Sequence, residues 1–165
     1  MSQSRSRVEM SPKCKSLFLR LICAFSTCGT HFDGYASLGA TTIVVGGGKV
    51  TGRKADVILA AHNAMMAAQR TIKKASTNTE VTAVIAKVCA EFGCEPVEGV
   101  LSHKIKQHLI DGNDTIINKE TSTQQVEEFQ FAPGDVIGLD IYVSTGEGKP
   151  KETDVRCTVY KRELE

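Results

Sequence analysis

Residues 51–93 read TGRKADVILAAHNAMMAAQRTIKKASTNTEVTAVIAKVCAEFG, and this stretch decides the fold class. From Thr51 onward, Ala55, Ile58, Ala61, Met65, Ala68 and Ile72 recur at helical spacing, with Arg53, Lys54, Asn63, Arg70, Lys73 and Lys74 mostly between them. The spacing predicts a helix running to about Lys74. Thr77 with Glu80 three residues later is a capping-box signature, and it opens a second helix. Val81, Val84, Ile85, Val88 and Phe92 form its apolar face, and Gly93 ends it. Two helices in succession, with no strand between them, are not the alternation of a parallel α/β sheet.

The flanks read as strands. HFDGYASLGATTIVV, residues 31–45, predicts a strand, a turn at Asp33-Gly34 and a second strand rich in β-branched residues. Residues 94–108 are extended in character, residues 111–125 polar and turn-rich. Pro133-Gly134-Asp135 predicts a sharp turn before the apolar strand Val136–Val143, and residues 144–151 (STGEGKPK) a loop. A last strand is expected over residues 155–160. The order β-β-α-α-β-β-β favours an α+β fold with a largely antiparallel sheet.

The chain has 165 residues, 41% hydrophobic and 24% charged, with a net charge of +1. That is the composition of one ordinary globular domain, and it excludes collagen, coiled coils and disordered tails. No apolar run approaches the roughly 18 residues that span a bilayer, so no membrane association is expected. The charge is unevenly placed. Residues 1–30 hold Arg5, Arg7, Lys13, Lys15 and Arg20 against Glu9, a net +4, which leaves −3 for the remainder. Residues 1–27 therefore read as a divergent basic leader outside the fold, and residues 28–165 as the folded part. Arg20 interrupts the apolar run of residues 17–25 and no small-x-small cleavage site follows, so a secretory signal is not expected. The six cysteines (14, 23, 28, 89, 94 and 157) contain no Cys-x-x-Cys pair. Cys89 and Cys94 read as buried thiols, and the set as a whole predicts a reducing compartment, cytoplasm or nucleus. The sequon Asn113-Asp114-Thr115 carries little meaning in that setting.

Several stretches invite a chemical reading. Gly46-Gly47-Gly48-Lys49 lacks the first glycine of a phosphate loop and is followed by Val50 instead of Ser or Thr, so it reads as a strand-to-helix connection. Asp111-Gly112-Asn113-Asp114 lacks the distal Glu of a calcium loop. His31, His62, His103 and His108 show no ligand spacing; five apart in an extended stretch, His103 and His108 fall on opposite faces. Asp140 differs, being a carboxylate inside the apolar run VIGLDIYV, where an unpaired charge would be costly. Basic residues cluster at Arg53-Lys54, Lys104-Ile105-Lys106, Lys149-Pro150-Lys151 and Lys161-Arg162, which could meet phosphates or form ordinary solvated surface.

The runs Val50–Val57, Val97–His103, Gln107–Gly112 and Ser144–Lys149 closely resemble the proliferation-associated, ErbB-receptor-binding protein family. That family is the non-peptidase branch of the methionine-aminopeptidase-like, pita-bread proteins. The resemblance covers about residues 29–162. It implies a partial pita-bread fold, with a curved and largely antiparallel sheet carrying two long helices. Active aminopeptidases of this fold hold two metal ions with two Asp, one His and two Glu, and the ions bridge the attacking hydroxide. By resemblance the Asp positions fall at Thr27 and Leu38, the His at His103 and one Glu at Asp140; the last Glu lies beyond residue 165, and a substrate-facing His falls near Asp111. His103 and Asp140 are then vestiges, and no catalytic residue, metal or cofactor is expected. The resemblance implies a non-catalytic protein of cytoplasm and nucleus that meets RNA or the ribosome, and protein partners in growth control. Arg53, Lys54, Lys104, Lys106, Lys149 and Lys151 are the expected RNA contacts. Family members are considerably longer, so two other readings stand beside this one: a dinuclear metal-dependent methionine aminopeptidase, and a truncated fragment with no function of its own.

Overall fold

In the computed structural model, residues 23–46 and 48–151 are described. The expected strand over residues 155–160, the cluster Lys161-Arg162 and most of the basic leader lie outside them. The described residues begin with an antiparallel hairpin, β1 (Cys23–Phe32) and β2 (Tyr35–Val44). Asp33 and Gly34 both have positive φ, 50° and 80°. That is the backbone of a type I′ turn, which matches the twist of the strands it joins. Cys23 pairs with Val44, so the ladder takes in residues 23–27, upstream of where the folded part was expected to begin.

α1 (Arg53–Thr71) and α2 (Asn78–Glu91) follow and pack on one another. Ala60, Ala64 and Ala68 are spaced by four along α1 and all are buried, a stripe of small side chains that lets the helices approach closely. α1 stops short of Lys74 because Ser76 captures its last turn. The Ser76 hydroxyl accepts from Lys73 N (2.9 Å) and donates to Thr71 O (2.8 Å). The Thr77–Glu80 capping box is present in both directions.

β4 (Leu101–Ile105) is the centre of a three-stranded antiparallel sheet between β5 (Thr115–Ile117) and β6 (Val136–Gly138). A separate two-stranded ladder joins β3 (Glu95–Pro96) to β7 (Val143–Ser144). The core is built from Ala64, Ala68, Val81, Ile85, Ile116 and Phe131, with Cys89 among them. Phe129 packs edge-on to Phe131 at 5.1 Å between ring centres.

Two expectations are corrected here. Thr115-Ile116-Ile117 is a strand, hidden in a stretch whose polar neighbours dominate its composition; both isoleucines are buried beneath α2. The apolar run of residues 136–143 is two short strands, not one. Between them Ser102 Oγ of β4 accepts from Asp140 N at 2.8 Å and contacts Asp140 O at 3.4 Å. A side-chain hydroxyl thus takes the place of ladder bonds, and the strand breaks at Asp140.

Buried amides fix the layers. Asn78 donates to Thr115 O (3.0 Å) and Glu127 O (2.9 Å) and accepts from Phe129 N (3.1 Å). Asn118 donates to Val97 O (2.9 Å) and Tyr142 O (2.8 Å). Each holds irregular backbone that no helix or ladder satisfies.

Candidate functional site

His103 and Asp140 come together. His103 lies mid-β4, opposite Gly138 of β6, and Asp140 follows two residues beyond. The two are near enough for His103 to oppose the rise in the Asp140 pKa that burial of its carboxyl produces. Asp140 as a residue is nevertheless exposed, which corrects the expectation of a carboxylate sunk in an apolar strand. Its backbone N–H is held by Ser102 Oγ. His103 Nδ1 lies 3.0 Å from the Gly112 carbonyl oxygen. A carbonyl can only accept, so a proton is assigned to Nδ1.

The positions that resemblance assigns to the two aspartates lie on the hairpin. Thr27 pairs with Ala40 and Leu38 with Gly29, and the Leu38 side chain is 54% exposed. The hairpin tip is tied to the loop after β4: His108 N donates to Gly34 O (2.8 Å) and Gln107 Nε2 to Asp33 O (2.8 Å). His108 has positive φ (61°), so the extended geometry expected of residues 103–108 ends at Ile105. Among the described residues, no three His, Cys, Asp or Glu side chains gather in a group that could hold a metal ion.

The six basic residues expected to meet RNA fall into two kinds. Two are occupied within the fold. Arg53, at the start of α1, donates to Phe92 O (3.2 Å), Gly93 O (2.8 Å) and Thr145 O (3.1 Å), closing the end of α2 against the loop of residues 144–151. Lys104 is paired with Asp135 (2.7 Å) and Asp114 (3.4 Å). Its hydrogen bond to Asp135 raises the Lys104 pKa and holds the Asp135 carboxyl below its ordinary value. The other four, Lys54, Lys106, Lys149 and Lys151, are exposed. Lys149 has a loose partner in Glu147 at 3.7 Å. The Arg53–Thr145 bond brings the end of α1 that bears Lys54 to the loop that carries Lys149 and Lys151; Lys106 sits apart, beside the hairpin tip.

Sequence reasoning passed over Lys49. With Lys54 it lines an open cavity of about 270 Å³ formed by Val44, Gly48, Val50 and Thr51. The glycine run that fails as a phosphate loop was the signal available for it.

Residues 23–158 match the model of metallopeptidase family M24. The chain belongs to that family. It is 46% identical over 137 residues to a curved DNA-binding protein of Schizosaccharomyces pombe and 44% identical over 136 residues to ERBB-3 binding protein 1 of Arabidopsis thaliana. These alignments take in 81% and 82% of this chain but 36% and 35% of the relatives, so the chain spans about a third of the length of the curated relatives it matches. A methionine aminopeptidase of Thermococcus onnurineus is 26% identical over 121 residues, 73% of this chain and 38% of that protein. Similarity to the proliferation-associated, ErbB-receptor-binding branch is therefore much the stronger, as the sequence motifs indicate. Among solved structures, a thermophilic Arx1 superimposes with a TM-score of 0.69 at 22% identity, covering 81% of this chain and 43% of that one. The methionine aminopeptidase of Thermotoga maritima gives 0.67 at 18%, covering 79% and 50%. The α+β pita-bread fold is thereby established.

Proposed function

We propose that this chain is a non-catalytic binding protein on an aminopeptidase fold, one that meets structured RNA in a ribosomal setting. The observation that carries the first half is the hairpin: where resemblance places two metal-ligating aspartates, the chain has Thr27 and Leu38. Neither side chain can replace a carboxylate, and a site short of both ligands cannot hold two metal ions with a hydroxide between them. The second half is supported by the exposed lysines and by similarity to relatives named for DNA binding and ErbB-3 binding. The Arg53–Thr145 bond joins the end of α1 that bears Lys54 to the loop that carries Lys149 and Lys151, while Lys106 is a separate exposed cation beside the hairpin tip. Arg53 and Lys104 are set aside as direct contacts, because the Arg53 donors are engaged by backbone carbonyls and the Lys104 charge is paired with two carboxylates. Incubating the purified chain with ribosomal RNA fragments at rising salt tests the proposal. Retention that weakens steadily with salt is expected; no binding at low salt refutes it.

A second reading, metal-dependent aminopeptidase, is favoured by one observation: the two retained ligand positions, His103 and Asp140, lie close enough to interact. Loading the chain with cobalt or manganese and assaying release of methionine from a Met-initiated peptide separates the two. Stoichiometric metal with methionine release supports peptidase chemistry and overturns the binding proposal.

A further inference from the structure

The end of α2 is built around two thiols. Cys94 N donates to Cys89 O (2.9 Å) and Gly93 N to Ala90 O (2.8 Å). Gly93 has φ 59°, the left-handed residue that this arrangement requires. These paired bonds define a Schellman cap, whose geometry brings the side chain three positions before the cap residue against the one two positions after it. An apolar pair usually fills those two places. Here they are Cys89 and Cys94, 0% and 2% exposed. Above them, Arg53 Nη1 lies 4.0 Å from Cys94 Sγ while its other nitrogen holds Gly93 O and Thr145 O.

We propose that Cys89 and Cys94 are a redox pair, closing to an intrachain disulfide that replaces the hydrogen-bonded cap of α2 with a covalent one. The 2.9 Å bond from Cys94 N to Cys89 O already holds the two residues' backbones side by side. Cys94, beneath a guanidinium, is the attacking sulfur. Its Sγ displaces one thiol from a small disulfide such as oxidised glutathione, and the Cys94 proton leaves with that thiol. Cys89 Sγ then attacks Cys94 Sγ of the mixed disulfide, releasing the second thiol with the Cys89 proton. Two protein thiols are oxidised and one small disulfide is reduced to two thiols. Burial holds the Cys89 thiol up at about 11, so it serves as the second, resolving sulfur and not the first. Access comes through opening of the cap, where Arg53 is exposed and is the side chain that must move. Because that same guanidinium holds Thr145 O, the cap's redox state bears on the loop that carries Lys149 and Lys151.

The test equilibrates the full chain in buffers of graded reduced-to-oxidised glutathione, quenches with an alkylating agent under denaturing conditions, and digests without reductant. Glu91 lies between the two cysteines, so cleavage after it leaves the flanking peptides joined only where the disulfide exists. The expected result is a joined pair that titrates in as one two-electron step, lighter by two hydrogens than the reduced peptides combined. C28S retains the linkage, while C89S leaves glutathione on Cys94. Alkylation of both cysteines at every glutathione ratio, linkage only between separate chains, or loss of the joined pair in C28S overturns the proposal.

Discussion

Replacing Asn78 by Ala tests how the helical layer is fixed to the sheet. Asn78 is fully buried and makes three hydrogen bonds, to Thr115 O, Glu127 O and from Phe129 N. A typical intramolecular hydrogen bond contributes about 1 kcal/mol net, but each buried partner left unsatisfied costs about 1–3 kcal/mol. Asn78→Ala strands two carbonyls and one N–H and leaves a small void, so the loss should be about 3–5 kcal/mol. The N-cap is Thr77, which the change leaves in place, so none of this loss is helix capping. Domains of this kind have about 5–15 kcal/mol in total, so the variant sits near the edge of folding. Urea unfolding followed by far-UV circular dichroism measures it, with Asn63→Ala on the exposed face of α1 as the control, expected within about 0.5 kcal/mol of the parent. Asn78→Asp places a carboxylate against two carbonyl oxygens; it should be at least as damaging at neutral pH and recover partly on acidification, when a protonated acid can donate one bond. A loss below about 1 kcal/mol for Asn78→Ala would refute the reasoning, since it would mean water satisfies all three groups.

Three further outcomes follow from particular contacts. In Gly34→Ala, the added Cβ meets the His108 imidazole at a position whose φ is 80°, so the hairpin tip should detach from the loop after β4; faster amide exchange at His108 N, which donates to Gly34 O, reports it. Asp135, held below its ordinary carboxylate value of 3.8 by Lys104, contributes stability that is complete above that value and lost as pH falls through the lowered one. Lys104, raised above 10.5, loses its share only as pH climbs past that value, so Asp135→Asn should lower stability at neutral pH, where the pair is fully charged, and flatten the acid limb of a stability–pH curve. In the folded, reduced chain, Cys28 is exposed and should react with iodoacetamide at pH 8, whereas Cys89, buried and raised to about 11, should resist until the chain unfolds.

The helices were legible because their signals are local. The Thr77–Glu80 box, the apolar period and Gly93 each act within one or two turns, and the Asp33-Gly34 turn is likewise set by its own two residues. Where the reading failed, the deciding partner was distant in sequence. Thr115-Ile116-Ile117 becomes a strand through pairing with β4 and burial under α2, neither visible in a polar neighbourhood. The run of residues 136–143 breaks because Ser102, 38 residues earlier, bonds the Asp140 backbone. Basic clusters were visible as charge, but their availability depends on pairing. Arg53 closes a helix end 39 residues on, and Lys104 of β4 meets Asp135 immediately before the neighbouring β6. The metal positions needed the family resemblance, since His103 and Asp140 lie 37 residues apart with no local pattern linking them.

The central proposal is that binding rests on the exposed lysines. A fluorescent ribosomal RNA hairpin titrated with the chain at roughly 50 to 200 mM salt gives the slope of log affinity against log salt. Four phosphate contacts correspond to a slope of about −2.8 to −3.6, or roughly a 50- to 150-fold loss of affinity over that range. Changing Lys54, Lys106, Lys149 and Lys151 together to Gln should bring the slope close to zero and weaken binding at low salt, with the helix content unchanged. An unaltered slope in that variant, or RNA binding that does not respond to salt in the parent, would contradict the account.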